Sequence, residues 1–307
     1  MDLNLQHFPS VLSGDSLNSA RRLLVDATAQ DRVEPFGEAF VRGLSEPQRG
    51  HQHVAVFSAD QPGQCIALAG IAPDSIELVV HPAFRRRGVG QRLLQSVDEI
   101  VVKPGRLPIW AHGNLPGAQQ LAAVTGRKMN RQLLQMSIEG ESLDLAAEGG
   151  EVPDGIELET YAELEKNIGR EAADSAWLAV NNEAFDWHPE QGNWTQGDLD
   201  LARSADWFDS AGVFFAVDRD SREVVGFHWT KMHPEQEERV GEVYVIGLAE
   251  RARGRGVGAW LTRIGLKDLV ARGAGAVILY VEGGNATAIR TYEKTGFELA
   301  RMDVMYG

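Results

Sequence analysis

Residues 243–262 read VYVIGLAERARGRGVGAWLT, and residues 77–94 read ELVVHPAFRRRGVGQRLL. Each begins as an apolar, β-branched run of strand character. Each then passes through a short basic stretch into Arg-x-x-Gly-x-Gly and continues with amphipathic, helical spacing. The glycines fall at Gly88/Gly90 and at Gly256/Gly258, a constant offset of 168 positions. That offset is about one domain length, so one fold occurs twice in tandem. A chain of 307 residues is too long for one ordinary domain. It suits two of roughly 150 each.

Between the copies, Gly140 to Gly155 (GESLDLAAEGGEVPDG) is acidic and glycine-rich and carries Pro153. That composition predicts a linker with a boundary near residue 150. The expected division is an N-terminal domain over 1–145, a linker over 146–154 and a C-terminal domain over 155–307. Helical spacing runs over Leu17–Thr28 and Asp174–Phe185. Strand patterns cover His53–Phe57, Cys65–Ile71 and Ile76–Val80 in the first half, and Val213–Asp218, Val224–Lys231, Val243–Leu248 and Ala276–Val281 in the second. A further helix is predicted over Ala286–Thr295, closed by Gly296 at its C-cap. Both halves therefore read as α/β or α+β, each a mixed central sheet flanked by helices.

Composition narrows the function classes. Hydrophobic residues make up 43% and charged ones 24% of the chain, which is globular rather than disordered. Thirty Lys+Arg against 44 Asp+Glu give a formal net charge of −14, which argues against nucleic acid and anionic membrane as partners. No apolar run approaches the roughly 20 residues of a membrane helix, and MDLNLQHFPS lacks a signal-peptide pattern. A cytoplasmic monomer is expected. Cys65 is the only cysteine, so neither an internal disulfide nor a cysteine metal cluster can form. On its apolar strand it reads as a small buried hydrophobe, and no basic partner for an acyl-cysteine route is evident. His228 and His233 stand five apart without supporting ligands, so no metal is expected.

A strand that runs into a glycine turn opening a helix presents several unpaired N–H groups at a positive helix end, which suits pyrophosphate. A Walker A loop is excluded because neither copy ends in Gly-Lys-Ser/Thr. A dinucleotide fingerprint is partly met, since Gly254, Gly256 and Ala259 satisfy G-x-G-x-x-A and Glu282 lies downstream. Against it, Ala249–Arg253 separates strand from glycine, and Arg86 stands where the first copy needs its first glycine. The run Arg85-Arg86-Arg87 could equally be a solvated charge run.

The shared Arg-x-x-Gly-x-Gly, twice between strand and helix, resembles the coenzyme A signature of the GNAT acetyltransferases. The likeness covers nearly the whole chain as two such domains. It implies that acetyl-CoA is the cosubstrate. It also implies that Arg86, Arg87, Gly88, Val89, Gly90 and Gln91 cradle pyrophosphate in one copy. In the other, Arg253, Gly254, Arg255, Gly256, Val257, Gly258 and Ala259 do so. The preceding strands, through Leu78, Val79 and Val80 and through Ile246, Gly247 and Leu248, would pair with the pantetheine amides.

The copies differ further on. Leu279–Phe297 (LYVEGGNATAIRTYEKTGF) is similar to the family's C-terminal segment. There Asn285, Ala286, Thr287, Ala288, Ile289 and Arg290 would lie near the cofactor, and Tyr292 would protonate the departing thiolate. Tyr292 could also be a plain core aromatic. In the first half, aligning Gly126 with Gly296 puts Ala122 opposite Tyr292, flanked by Leu121 and Ala123. No proton donor stands there, so the first domain is expected to be non-catalytic.

Val180–Thr195 (VNNEAFDWHPEQGNWT), Gly226–Pro234 (GFHWTKMHP) and Gly241–Leu248 (GEVYVIGL), with Glu77–Pro82 and Trp110–Gly113 in the first half, resemble the tandem branch of that family that completes mycothiol. The resemblance implies acetyl transfer to the cysteinyl amine of a cysteinyl-glucosaminyl-inositol, by direct attack in a ternary complex. Glu242, at a strand start, is the candidate base, against a solvent-facing carboxylate. The likeness also makes Glu38, Glu190, Lys231, Glu242 and Tyr280 substrate contacts. Without it Glu38 reads as a surface helix charge. Trp177, Trp187, Trp194 and Trp229 suit core or pocket walls better than specific contacts. The other enzymatic reading is a tandem acetyltransferase acting on another small-molecule or protein amine, and the non-enzymatic one is an acetyl-CoA sensor.

Overall fold

The computed structural model describes residues 4–101, 105–148, 150–187, 191–233 and 239–307. Its contacts divide the chain into two units, Met1–Leu133 with Arg301–Gly307, and Leu134–Ala300. The chain opens with β1 (Asn4–Phe8), α1 (Gly14–Asp31), α2 (Glu38–Gly43), β2 (Gln52–Phe57), β3 (Cys65–Ile71) and β4 (Ile76–Val80). It continues through α3 (Val89–Ile100), β5 (Ile109–Ala111) and α4 (Pro116–Val124) to β6 (Met129–Glu139). Next come α5 (Gly140–Ala147), β7 (Ile156–Thr160), α6 (Tyr161–Ile168), α7 (Arg170–Ala184) and α8 (Gln196–Arg203). Last are β8 (Val213–Asp218), β9 (Val224–His233), β10 (Val240–Leu248), α9 (Val257–Ala271), β11 (Ala276–Glu282), α10 (Ala286–Thr295) and β12 (Glu298–Tyr306).

The first unit's sheet runs β1-β2-β3-β4-β5-β12, with residues 301–306 of the last strand as its share. The pairs along β1 to β4 are antiparallel, β4–β5 is parallel, and β12 pairs antiparallel with β5 through Val304↔Ala111 and Tyr306↔Ile109. β3 is buried at every position, as its unbroken apolar run requires of a strand covered on both faces. Alternation sorts the neighbours: Ala55, Phe57 and Leu68 meet the α1 side chains Leu23 and Leu24 on one face, while Val54, Val56 and Ile66 meet Leu93 and Leu94 of α3 on the other.

The second unit repeats the plan. Residues 134–139 of β6 lie beside β11, followed by β10, β9, β8 and β7. β10–β11 is the parallel pair, and β7 to β10 form an antiparallel meander. α9 buries Val257, Trp260, Leu261, Leu266 and Leu269, a helical spacing that lays it on one face of the sheet. α7 lays Trp177 and Val180 on the other, against Phe215, Phe227 and Trp229.

Two differences from the sequence reading concern the boundary. The acidic stretch expected to link the domains begins as helix: α5 buries Leu143, Ala146 and Ala147, spaced three and four apart, in the second unit's core. The contact boundary therefore falls at Leu134 rather than in 146–154, and the chain's last seven residues return to the first unit. The chemistry-bearing elements match closely. β3, β4, β8 and α10 fall on the expected residues, and Gly296 closes α10 at φ 109°. Among the described residues, no helix is long and apolar enough to cross a membrane.

Candidate active site

In the second unit β10 and β11 pair from Val240↔Ala276 to Val243↔Leu279 and then part, while β10 runs on to Leu248 against β9. The register of β10 against β9 shifts between Val243 and Val245, leaving Tyr244 as a bulge. A bulge bends and twists its strand, which gives the divergence a local cause. The parted edges leave a wedge whose β10 backbone groups beyond Val243 have no β11 partner. Ile246, Gly247 and Leu248 line that edge.

After β10 a 3-10 turn at Glu250–Ala252 separates strand from glycines, unlike the abutting turn of a dinucleotide fold. Gly254 and Gly256 take φ 75° and 81°, and Gly256 is the N-cap of α9. A Cβ at either would meet nothing within 4 Å, so the left-handed backbone, and not crowding, demands glycine. The N–H groups of Val257, Gly258 and Ala259 precede the first intrahelical bond, Trp260 N–H to Gly256 O, and have no acceptor within the helix. Arg255 turns aside: Nη2 donates to the Asp154 carbonyl at 3.0 Å, and Nη1 lies 4.0 Å from Asp218. Arg253 has extended backbone just before the turn.

Glu242 stands on the last paired stretch before the wedge and is 7% exposed. Its register partner on β9 is Lys231, whose Nζ lies 4.0 Å from Oε2. His233, two residues on and on the same strand face, brings Nε2 to 2.7 Å from that oxygen. The Lys231 ammonium sits over the rings of Trp207 (4.8 Å) and Tyr244 (5.5 Å), a cation–π pair that fixes its position. Trp229 backs this wall, 5.4 Å from Trp207 and 5.0 Å from Tyr244 between ring centroids.

Tyr292 lies in the core cluster that holds Val243, Leu279, Val281 and Phe297, with the Phe297 ring 5.9 Å away. Burial alone pushes its phenol well above the ordinary value, and no cation offsets it. The group therefore carries its proton throughout the working pH range. Asn285 spends its side-chain oxygen on the N-cap of α10, accepting from Ala288 N–H at 3.1 Å. Ala286, Thr287, Ala288, Ile289 and Arg290 form the first turns of that helix. Tyr280 on β11 is 40% exposed and accepts from the Gln135 amide at 2.8 Å.

The first unit has the turn without the acid. Leu78, Val79 and Val80 end β4, which pairs with β5 through only Ile76↔Ile109 and Glu77↔Trp110. Gly88 caps α3 at φ 78°, and Arg86 holds φ 61° where the other copy has Gly254. Val89, Gly90 and Gln91 open α3, while Arg87 lies over the Phe84 ring. The motif's leading Arg85 is bound to Asp31 through two 2.7 Å contacts, so the basic run is partly structural. Ala122 is buried on α4.

The remaining expected residues scatter. Glu38 belongs to the first unit, exposed on α2 and paired with Arg42 at 3.0 Å. Glu190 lies outside the described residues. Asn181 and Asn182 hold the chain just beyond it, through Gln191 O at 2.9 Å and Trp194 O at 2.8 Å. Trp177 and Trp229 are core, while Trp187 is exposed. His228 is fully buried, with Nδ1 against Leu261 O at 2.8 Å and its pKa moved down to about 4 by desolvation. The Cys65 thiol is pushed up to about 12 by burial. Among the described residues no group of three potential metal ligands occurs. His233, Trp207 and Tyr244 escaped the sequence reading as site residues; the alternate placing of Lys231 and His233 on one strand face was the available signal.

The family model of the acetyltransferase (GNAT) family matches residues 22–122 and 177–297. Mycothiol acetyltransferase of Corynebacterium glutamicum is 43% identical over 297 residues, covering 96% of this chain and 95% of the relative. That of Nocardia farcinica is 41% identical over 300 residues, covering 96% and 95%. Among solved structures, a GCN5-related N-acetyltransferase from Sphaerobacter thermophilus aligns with a TM-score of 0.73 at 21% identity, covering 98% of this chain and 94% of that one. A tandem GNAT protein from the clavulanic acid biosynthesis pathway aligns at 0.70 and 18% identity, covering 99% and 98%. At those identities the structural likeness shows the fold.

Proposed function

The chain belongs to the acetyltransferase (GNAT) family, and from that premise we propose that it moves the acetyl group of acetyl-CoA to the cysteinyl amine of cysteinyl-glucosaminyl-inositol, the step that completes mycothiol. The relatives named for that product align with it over nearly their whole length, which supports the substrate. Chemistry is assigned to the second unit of a cytoplasmic monomer, and the first unit is a non-catalytic copy. The observation that carries this division is the phenol of Tyr292, buried in the cluster with Val243 of β10 and Leu279 of β11, where the sequence of the first unit has Ala122.

Pyrophosphate rests on the N–H groups from Gly254 to Ala259 beside Arg253, and pantetheine runs along the free edge of Ile246–Leu248. An α-amine has an ordinary pKa near 7.7–8.0, so a carboxylate beside it needs only a modest push to take its proton. Glu242 takes that proton, directly or through a water. The neutral amine attacks the thioester carbonyl, and a β10 backbone N–H freed by the splay stabilises the oxyanion. As the C–S bond breaks, Tyr292 donates its proton toward the sulfur. Lys231, Tyr280 and Glu190 contact the hydroxyl-rich acceptor, whose polarity suits charged and phenolic groups. No step needs a metal.

Turnover of cysteinyl-glucosaminyl-inositol is to be compared with that of an aminoglycoside and a peptide N-terminus, with acetylated product read by mass. Mass is needed because the cysteinyl substrate carries its own thiol and would consume thiol-release dyes. Preference for the cysteinyl amine supports the assignment; equal or better turnover of another amine replaces it with a broader acetyltransferase.

A further inference from the structure

Glu242 is flanked by two nitrogen groups, and they are not equivalent. Lys231 Nζ stands 4.0 Å from Oε2, beyond hydrogen-bond reach, and is engaged with the faces of Trp207 and Tyr244. His233 Nε2 is 2.7 Å from the same oxygen, a short, direct hydrogen bond. An ionised carboxylate has no proton to give, so the imidazole N–H must be the donor. From β11 the register neighbour of Glu242 is Ile278, which offers no charge. Asp268 and Arg272, from α9 and its C-cap, are bonded to Thr230, whose side chain points to the opposite face of β9. Among the described residues no contact claims Oε1.

We propose that His233 is a positioning residue: its Nε2–H holds Oε2 of Glu242 and leaves Oε1 as the lone pair that meets the substrate amine. The inference rests on Glu242 as the base. A carboxylate on a 7%-exposed strand position could otherwise rotate about its last bond and offer its oxygens in many orientations. One short donor on one oxygen removes that freedom, and reaction rates depend steeply on such placement. Lys231 supplies charge at a distance but not direction.

The test uses the full chain, with kcat and KM for both substrates followed across pH in His233→Ala and His233→Gln. Glutamine places an amide N–H near the former Nε2 but carries no titrating ring. For His233→Ala, kcat should fall about 10- to 100-fold while KM for acetyl-CoA stays within about twofold. His233→Gln should recover most of kcat. If His233→Ala leaves kcat unchanged, or if His233→Gln is as impaired as His233→Ala, the positioning role is refuted. Glu242→Gln separates this from the underlying reading. Should that variant turn over normally, Glu242 is not the base. Should it be inactive while both His233 variants match the parent, only the present inference fails.

Discussion

Tyr292 and Glu242 are each nearly buried, with 7% exposure, and in each case the surroundings decide what the group does. The ring of the phenol sits in an apolar cluster, and burial raises its pKa and keeps it protonated. A hydroxyl so placed serves as a donor to developing negative charge and is a poor base. Around the carboxylate there is a hydrogen-bond donor on one oxygen and open valence on the other, the arrangement of a proton acceptor. Tyr292→Phe removes one hydroxyl from an otherwise apolar pocket and should leave folding intact while lowering kcat by about 10²-fold or more. Glu242→Gln should lower it at least as much. Thermal melts alongside mass-detected turnover check both, and unchanged turnover in either variant would withdraw the corresponding role. The sequence offered both residues through resemblance, and its strand alternation set His233 on the face of Lys231, but only the fold brings His233 to 2.7 Å from Glu242 on the next strand.

At the level of elements, the glycine turn before α9 and its counterpart before α3 share backbone shape, with positive φ at Gly256 (81°) and Gly88 (78°). A glutamate at either position would enter open space but force a left-handed conformation costing on the order of 1–2 kcal/mol. It would also set a carboxylate at the proposed pyrophosphate site. Gly256→Glu should therefore abolish most turnover by raising KM for acetyl-CoA, whereas Gly88→Glu should largely spare it. Equal loss in the two variants would remove the asymmetry between the units. A different element dependence concerns β12. Its residues 301–306 close the first unit's sheet against β5, and Asp303 binds His112 Nδ1 at 3.3 Å and Gly113 N–H at 2.7 Å. Deleting residues 301–307 should therefore destabilise the first unit, seen as loss of amide protection in β4 and β5, with the core of α9 and β9 retained longer. Uniform protection in both units after the deletion would contradict this.

At the scale of the molecule, two histidines give the units opposite pH sensitivities. His112 is desolvated, yet hydrogen bonds to Asp303 and Glu77 outweigh that and raise its pKa to about 9. Its contribution is fully present below about 6.5, the unfolded value, and is lost as pH rises through about 9. His228 is lowered to about 4 by desolvation, so between 6.5 and 4 the unfolded chain binds the extra proton. The second unit should therefore weaken as pH falls through that interval. Each effect amounts to about 3 kcal/mol. Amide exchange at pH 5 and at pH 9.5 is expected to expose the second unit first in acid and the first unit first in alkali, and the same order at both ends would refute the assignment. Replacing His112 by Gln should remove most of the alkaline effect.

The repeat, the sheet-and-helix class, the strands β3, β4 and β8, the helix α10 and both glycine turns were legible in the sequence. Those features are local: periodicity, a strand-to-helix glycine turn and a glycine cap are written in neighbouring residues. What only the tertiary structure decided is non-local. The composition of Gly140–Gly155 reads as a linker, yet α5 is helical because Leu143, Ala146 and Ala147 find a core to enter. No local pattern says that β12 serves the first unit or that His233 meets Glu242. Strand pairing joins residues far apart in the chain, and their side chains acquire roles only when the sheet sets them opposite one another.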